Sequence, residues 1–164
     1  MIFQQCAYLA GLLDGDGSIM LQIRPRQGMK FLFRVKTVVV IYQDTKQKDI
    51  VEQLWKLIGA GYFYHRNDHI SEIRIEGFKQ VKLFLTLLKP YLLLKKKQAD
   101  LMLRAISLAE KKGYSIQDFL QICAISDEIS ACNYSSKKRK YTSTFIISEL
   151  KKHNLFPVTT GSLH

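Results

Sequence analysis

Two kinds of apolar spacing alternate along this chain, and they predict its secondary structure. Residues 19–26, 34–42, 62–66 and 72–76 place apolar and polar side chains at alternate positions, which is the spacing of strands with one buried face. Between and after these segments, apolar residues recur three or four positions apart, which is the spacing of helices. The pattern therefore predicts two strand pairs separated by a helix.

Glycine and proline positions mark where these elements end. A turn at residues 26–28 joins the first two strands, Gly59 and Gly61 end the helix that follows Thr45, and a later helix ends before Pro90. Further helices are predicted at about residues 96–112, 116–131 and 145–152. The order is α-β-β-α-β-β-α with extra C-terminal helices. Hairpins joined across helices indicate an α+β fold, in which one four-stranded antiparallel sheet carries helices on one face and polar strand residues on the other.

Length and composition indicate one globular domain. The chain has 164 residues, 47% of them hydrophobic, which suits a single domain over residues 1–164, with a basic loop at 133–141 and a C-terminal helix at 143–153 as appendages. No apolar run approaches the roughly 20 residues of a membrane helix, so we expect a soluble protein without a membrane partner. The three cysteines are widely spaced, which favours reduced thiols and an intracellular location over a disulfide framework or a metal site.

A strong excess of basic residues indicates what kind of partner the chain has. It carries 25 lysines and arginines against 14 acidic residues, a formal net charge of +11. This balance favours an anionic partner such as a nucleic acid. Net charge by itself does not select DNA over RNA or a membrane surface.

The polar face of the first strand pair is the candidate surface for that partner. Arginine and lysine side chains bind guanine edges and phosphates, Gln22 suits adenine, and apolar side chains suit thymine methyl groups. A solvated strand face gains nothing from apolar residues, so the expected exposure of Met20, Val38 and Val40 favours a ligand surface. The residues predicted to bind DNA here are Met20, Gln22, Arg24, Arg26, Arg34, Lys36, Val38 and Val40.

Small residues follow one face of the first predicted helix. Ala7, Gly11 and Gly15 recur every fourth residue, although glycine inside a helix costs roughly 1 kcal/mol relative to alanine. Such a stripe lets another backbone approach closely. Asp14 and Asp16 then fall at the C-terminal end of this helix, where free carbonyls and the negative end of the helix dipole favour a divalent cation.

Two other structures would use the same acidic segment. Asp14, Asp16 and Ser18 have the alternate spacing of a calcium loop, but Ile19 occupies the position of the required glycine and Pro25 that of the bidentate glutamate. These two departures argue against a calcium loop. A buried small-residue helix whose aspartates only cap a turn stays open on these residues alone.

Residues 9–17, which read LAGLLDGDG, resemble the signature motif of the LAGLIDADG homing endonucleases. The length, the element order, the turn at residues 59–61 and the segment from Pro90 to Ala99 are similar to the single-motif, homodimeric branch of that family. The resemblance implies the LAGLIDADG fold. It also implies a dimer in which the motif helices of two subunits pack together through Ala7, Gly11, Leu12 and Gly15.

For this branch the resemblance implies a site-specific endonuclease whose partner is double-stranded DNA. Such an enzyme cuts both strands of a long pseudo-palindromic site, leaves 3′ overhangs and promotes intron homing, and it has no small-molecule substrate. The branch is commonly encoded in organelle genomes, so a chloroplast or mitochondrial location is implied. An alternative of another class is a non-catalytic DNA- or RNA-binding protein of the same fold, similar to an intron maturase. A purely structural dimerising domain leaves the basic strand faces unexplained.

The resemblance also implies a metal site. Asp16 matches the family's metal-binding aspartate, and Gly15 matches the position whose carbonyl faces the metals. Mg²⁺ is the implied cofactor, since it suits all-oxygen ligands; we expect Mn²⁺ to substitute and Ca²⁺ to support binding without cleavage. Two roles stay open for Asp14, direct participation in catalysis or a cap or structural hydrogen bond.

Three further positions correspond to active-site residues of the family. Gln43 matches the residue that orients solvent around the metals, and Lys95 matches the active-site lysine. Gln47 stands where related proteins usually have a basic side chain. Either Lys46 or Lys48 substitutes for that side chain, or the site has one positive charge fewer at the transition state.

The remaining expected DNA contacts lie on the second strand pair and in the C-terminal basic loop. The strand contacts are Tyr62, Tyr64, Arg66, Glu72 and Arg74. The loop residues Lys137, Lys138, Arg139 and Lys140 resemble a DNA-contacting loop of the branch, and they are expected to bind phosphates without reading sequence.

Overall fold

The fold is given by a computed structural model that describes residues 1–133 and 139–156. Its elements are α1 (Phe3–Asp16), β1 (Gly17–Pro25), β2 (Phe33–Asp44), α2 (Lys48–Ile58), β3 (Tyr62–His65), β4 (Ile70–Glu76), α3 (Phe78–Leu88), α4 (Lys96–Ala109), α5 (Ile116–Ala131) and α6 (Ser143–Lys152). Short 3₁₀ turns precede α2 (Thr45–Gln47) and follow α3 (Lys89–Tyr91). The predicted element order is confirmed.

The strands form one antiparallel sheet in the order β1-β2-β4-β3, so β2 and β4 are its central strands. Apolar side chains at alternate positions are buried on one face, among them Ile19, Val39, Ile41, Ile73 and Ile75. Helices α1, α3, α4 and α5 contact the sheet, and their apolar sides belong to the same core. The predicted α+β architecture is therefore confirmed.

The first helix and the first strand join without a loop. Helix α1 ends at Asp16 and β1 begins at Gly17, where a Cβ atom would lie 2.7 Å from the carbonyl oxygen of Leu13. Glycine is required for so close an approach, because any other residue would place a Cβ atom there. The junction holds the acidic end of α1 directly beside the sheet.

Helix α5 covers the edge of β1. The Ser126 hydroxyl donates a hydrogen bond to the carbonyl of Leu21 (2.6 Å), and the Asn133 side-chain amide donates to the carbonyl of Ile19 (3.4 Å). Uncovered edge strands invite pairing with other chains. The contacts from α5 and from Asn133, two residues beyond its end, therefore protect this edge.

Among the described helices, none is both long and apolar enough to span a membrane. Cys6, Cys123 and Cys132 are free thiols. Burial raises the pKa of the Cys123 thiol to about 12, so it stays protonated and unreactive.

Candidate active site and nucleic-acid interface

The ends of α1 and β2 meet, and they bring two predicted catalytic residues together. The Gln43 side-chain amide donates a hydrogen bond from Nε2 to Oδ2 of Asp16 (2.7 Å). Antiparallel pairing of β1 with β2 causes this contact, because it places Gly17 opposite Ile41. A cavity of about 390 Å³ at this junction is lined by Gly15, Asp16, Gly17, Tyr42, Gln43, Asp44 and Ile70.

Asp16 is an exposed carboxylate at the C-terminal end of a helix. Its charge lies beside the negative end of the helix dipole, so a bound cation would relieve the repulsion. A carboxylate has about four acceptor positions, and the amide of Gln43 occupies one of them. Asp16 and the neighbouring Gly15 carbonyl therefore fit a hard divalent cation such as Mg²⁺.

The described residues of one chain supply only part of a ligand set for a metal ion. Within residues 1–133 and 139–156, no three His, Cys, Asp or Glu side chains lie close enough together to hold a metal ion. Mg²⁺ usually retains several waters and binds one or two carboxylates together with substrate phosphates. The remaining ligands of a cation at Asp16 would accordingly come from water, from substrate or from a second subunit.

Asp14 has a different environment from Asp16, and its contacts fit the structural role, one of the two roles left open for it. Its side chain is only 8% exposed. Its Oδ2 accepts hydrogen bonds from the amides of Leu93 (2.7 Å) and Leu94 (3.1 Å), and its Oδ1 accepts from the amide of Lys95 (2.8 Å). Both oxygens thus bind main-chain amides, so Asp14 is a structural residue that fixes residues 93–95 against α1.

Lys95 lies at the same end of α1 as Asp16. Its Nζ donates a 2.6 Å hydrogen bond to the main-chain carbonyl of Asp14, one of the carbonyls that a helix end leaves without a helical partner. Since the amide of Lys95 also binds Asp14, both ends of this lysine are positioned by one residue. The predicted active-site lysine is therefore held at the end of α1 where Asp16, the predicted metal ligand, lies.

The turn between β2 and α2 carries the position where the family usually has a basic residue. Gln47 is exposed there, and so are Lys46 and Lys48. The Asp44 carboxylate accepts a hydrogen bond from the main-chain amide of Lys46 (2.8 Å) and so shapes the turn. The catalytic roles of Gln47, Lys46 and Lys48 stay predictions.

The polar face of the sheet is crossed by ion pairs. Glu76 accepts from Lys36 (2.9 Å) and from Arg74 (2.6 Å), and Glu72 lies 3.6 Å from Arg74 and 3.9 Å from Arg66. Burial of the Glu76 carboxyl acts to raise its pKa, but the bonds from Lys36 and Arg74 outweigh burial and lower it. The acidic side chains of this face therefore hold its basic side chains in place.

Three of the predicted DNA contacts on this face are buried. Glu72 is 7% exposed and lies beside Arg74, and the two valines of β2 were placed wrongly. Val38 and Val40 are wholly buried (0% exposed) instead of facing solvent. The cause is the central position of β2: Val38 lies between Met20 and Glu76, whose long side chains flank it on both neighbouring strands. Met20 is half-buried, so the argument from three exposed apolar residues does not hold. Arg24, Arg26, Arg34, Tyr62 and Tyr64 are exposed as expected.

The C-terminal basic loop is only partly described. Lys137 and Lys138 lie outside the described residues, and Lys140 is exposed. Arg139 does not have the predicted place, because its guanidinium binds within the protein. The groups that accept from its two terminal nitrogens are the carbonyl of Ser126 (2.9 Å), the hydroxyl of Ser126 (2.7 Å), the carboxylate of Asp127 (2.8 Å) and the carbonyl of Tyr141 (3.2 Å).

With those four bonds, the terminal N–H groups of Arg139 are all engaged. Asp127 also accepts from the amide of Ser143 at the start of α6 (2.9 Å). Arg139 therefore joins α5 to α6, and its predicted contact with a DNA phosphate is replaced by a structural role. The sequence could not show this structural role, because a run of basic residues does not indicate which side chain binds within the protein and which faces solvent.

Helix α1 presents a bare face to solvent. A Cβ atom at Gly11 or Gly15 would meet no atom of the described chain within 4 Å, and Ala7 and Leu12 are half-buried beside them. Two neighbouring leucines that were not predicted from the sequence also lie here: Leu93 is 86% and Leu94 is 72% exposed. Their amides bind Asp14, which places them next to α1. We call Ala7, Tyr8, Gly11, Leu12, Gly15, Leu93 and Leu94 the α1 face.

A signal for these two residues was present in the sequence. Residues 92–94 are three consecutive leucines followed by three lysines, and successive side chains of so short a segment cannot all point into the core. Leu92 is buried, whereas Leu93 and Leu94 are exposed and can contact another molecule. Exposed leucines beside a side-chain-free helix stripe form an apolar surface of the kind found at protein interfaces.

Comparisons with known proteins agree with this geometry. Residues 9–106 match the family model described as LAGLIDADG endonuclease. The DNA endonuclease I-CreI of Chlamydomonas reinhardtii is 38% identical over 151 residues, which cover 88% of this chain and 91% of that protein. The DNA endonuclease I-CvuI of Chlorella vulgaris is 31% identical over 147 residues, 89% of each chain. A crystal structure of I-CvuI in complex with its target in the presence of Ca superposes with a TM-score of 0.86 at 28% identity, covering 94% of this chain and 97% of that one.

Proposed function

The chain belongs to the LAGLIDADG endonuclease family, and from that membership we propose that it is a homodimeric homing endonuclease. In this proposal it cuts both strands of a long pseudo-palindromic DNA site with Mg²⁺ as cofactor, leaves 3′ overhangs and promotes intron homing. The observation that carries the proposal is the Asp16–Gln43 contact at the end of α1, directly beside a basic sheet. The relatives named above are DNA endonucleases over nearly the same length of chain.

The α1 face is the proposed dimer interface. Its glycines let a second α1 approach closely, and its exposed leucines supply apolar area. Packing two copies about a twofold axis brings the two α1 ends together, so that each subunit contributes one Asp16 to a shared centre. The partial ligand set of a single chain agrees with this arrangement. Twofold symmetry of the protein in turn requires a nearly symmetric DNA site.

At the cleavage site, Asp16 and the Gly15 carbonyl would hold the cation. When bound, Mg²⁺ supplies activation of the attacking water and stabilisation of charge on the leaving oxygen. Gln43 uses its amide nitrogen to bind Asp16, which leaves its Oε1 to accept a hydrogen bond from water and orient it. Lys95 keeps one ammonium hydrogen on the Asp14 carbonyl, and its two other hydrogens can donate to a phosphate.

The polar sheet face is the proposed DNA-binding surface. Exposed Arg24, Arg26 and Arg34 lie along β1 and β2, where they suit guanine edges and phosphates in the major groove. The ion pairs of Glu72 and Glu76 hold Arg66, Arg74 and Lys36 above the centre of the sheet. Lys137, Lys138 and Lys140 are proposed to bind phosphates at the side of the duplex.

The proposal extends to the place of action and to chain organisation. We propose an organelle, a chloroplast or a mitochondrion, because the relatives come from Chlamydomonas and Chlorella. We also treat residues 1–164 as a single domain. Mn²⁺ is expected to replace Mg²⁺ in cleavage, and Ca²⁺ to support binding alone.

A randomised duplex library tests the endonuclease proposal without a known target. The protein is incubated with the library in Mg²⁺ and, in parallel, in chelator, and all new DNA ends are sequenced. The proposal expects Mg²⁺-dependent ends with 3′ overhangs at one nearly symmetric site. Enrichment of one duplex by binding, with no new ends, would instead support the non-catalytic DNA-binding alternative, which the unusual Gln47 favours.

A further inference from the structure

Tyr42 lies between the two parts of the molecule that the proposed function uses. It precedes Gln43 on β2 and is half-buried. Its side chain lines the cavity of about 390 Å³ that contains Asp16. It also lines a groove of about 610 Å³ that runs beside Met20, Gln22 and Arg24 on β1. Among the described residues, no other side chain lines both of these spaces.

This position determines what Tyr42 can meet. A DNA strand that passes from the base-contacting residues of β1 to Asp16 has to cross the boundary between groove and cavity. Tyr42 lies at that boundary. In the antiparallel pairing of β2 with β4, it is opposite Glu72. On that path the side chain would lie beside the DNA backbone, at the point where the backbone reaches Asp16.

The chemistry of its environment makes Tyr42 a hydrogen-bond donor. Burial raises the pKa of the phenol above its usual range, and the carboxylate of Glu72 raises it further, against the smaller effects of Arg74, of Arg66 and of a hydrogen bond with the Ser18 side chain. The hydroxyl thus keeps its proton at neutral pH. A non-bridging phosphate oxygen is an acceptor that carries negative charge, and hydrogen bonds to charged acceptors are the stronger kind.

We propose that the Tyr42 hydroxyl donates a hydrogen bond to a DNA phosphate next to the scissile bond and so positions the backbone over Asp16. This inference rests on the proposed endonuclease function and adds a substrate contact to it. The contact is independent of sequence, because it is made to a phosphate. It therefore affects cleavage at any target in the same way.

The test compares Tyr42→Phe with the wild type on the target recovered from the library. Removing one hydrogen bond to a charged group should slow single-turnover cleavage about 10-fold or more. Tyr114→Phe is the matched control. Tyr114 lies beside Phe31 and Val35 at the other end of β2, away from the proposed site, so its cleavage rate should equal that of the wild type. Thermal melting confirms that both variants fold.

A second substitution on the DNA separates a phosphate contact from a structural effect. Each phosphate near the cut is replaced in turn by a methylphosphonate, in both stereoisomers, which removes one non-bridging oxygen and the charge. At the phosphate that Tyr42 contacts, this replacement should slow the wild type about 10-fold more than it slows Tyr42→Phe. At every other phosphate, the two proteins should lose the same factor.

The possible failures are distinguishable. If Tyr42→Phe cuts as fast as the wild type, or if the two proteins respond alike to every methylphosphonate, the phosphate contact is wrong while the endonuclease proposal stands. If the wild type cuts no member of the library, both proposals fail together.

Discussion

Replacing Asp14 should destabilise the fold, because one buried carboxylate binds three main-chain amides. Hydrogen bonds to a charged group contribute about 1.5–3 kcal/mol each, and the three here are 2.7 to 3.1 Å long. Their loss is less than additive, because the bonds share one carboxylate. Water can also reach the amides of Leu93 and Leu94, whose side chains are exposed. We therefore expect Asp14→Ala to lower the free energy of unfolding by about 2–3 kcal/mol.

Urea unfolding at fixed protein concentration measures this free energy. For a chain of this size, about 2–3 kcal/mol corresponds to a melting temperature lower by roughly 4–12 °C. Asp14→Asn should lie between the wild type and Asp14→Ala, since an amide keeps one acceptor oxygen but turns an NH₂ group towards an amide donor. Asp100→Asn is the control: its carboxylate forms an exposed ion pair with Lys89, and such pairs contribute about 0–1 kcal/mol.

The same variant should affect cleavage beyond its effect on stability. Lys95 is held through its amide by Asp14, so the active-site lysine loses its position even under conditions where the protein stays folded. If Asp14→Ala unfolds at the same urea concentration as Asp100→Asn, the assignment of Asp14 as a structural residue is refuted.

Two further predictions concern assembly and pH. Gly11→Leu should leave the monomer fold intact, because a Cβ atom at this position has no neighbouring atom of the described chain within 4 Å, but sedimentation equilibrium should show that the variant no longer dimerises. The control Gln121→Leu, at an exposed position of α5, should stay dimeric. A dimeric Gly11→Leu would contradict the proposed interface. Hydrogen bonds from Ser115, and then Lys111, lower the pKa of Asp118 from 3.8 to about 2. That stabilisation is present above pH 3.8 and is lost as pH falls towards 2. The melting temperature of Asp118→Asn should therefore decline less steeply between about pH 4 and about 2.5 than that of the wild type. Parallel curves of melting temperature against pH would contradict this role of Asp118.

The sequence predicted the elements and the acidic end of α1 because both depend on local patterns. Alternation in residues 34–42 located β2, but it did not show that β2 is a central strand. The burial of Val38 and Val40 follows from side chains on two neighbouring strands, and such neighbours are set by topology that local spacing does not contain.

The two aspartates show the same limit at a finer scale. Two positions apart on a helix, Asp14 and Asp16 point in very different directions. The resemblance assigned Asp16 to the metal, but the role of Asp14 stayed open because its partners were unknown. That role depends on where residues 93–95 pack, almost 80 positions further along the chain. Arg139 is a comparable case, since its partners Ser126 and Asp127 lie on α5, more than ten positions earlier in the chain.

Cleavage and binding by Asp16→Asn test whether Asp16 holds a cation that cleavage requires. The variant removes the charge that the proposed cation requires, while the polar sheet face is unchanged. With the target recovered from the library, both activities are measured side by side for the wild type, Asp16→Asn and the control Asp100→Asn, binding in chelator and cleavage in Mg²⁺. The account predicts that Asp16→Asn binds the target at least as tightly as the wild type, since each subunit loses a negative charge near the DNA, and cuts neither strand. Cleavage by Asp16→Asn at the rate of Asp100→Asn would contradict the account.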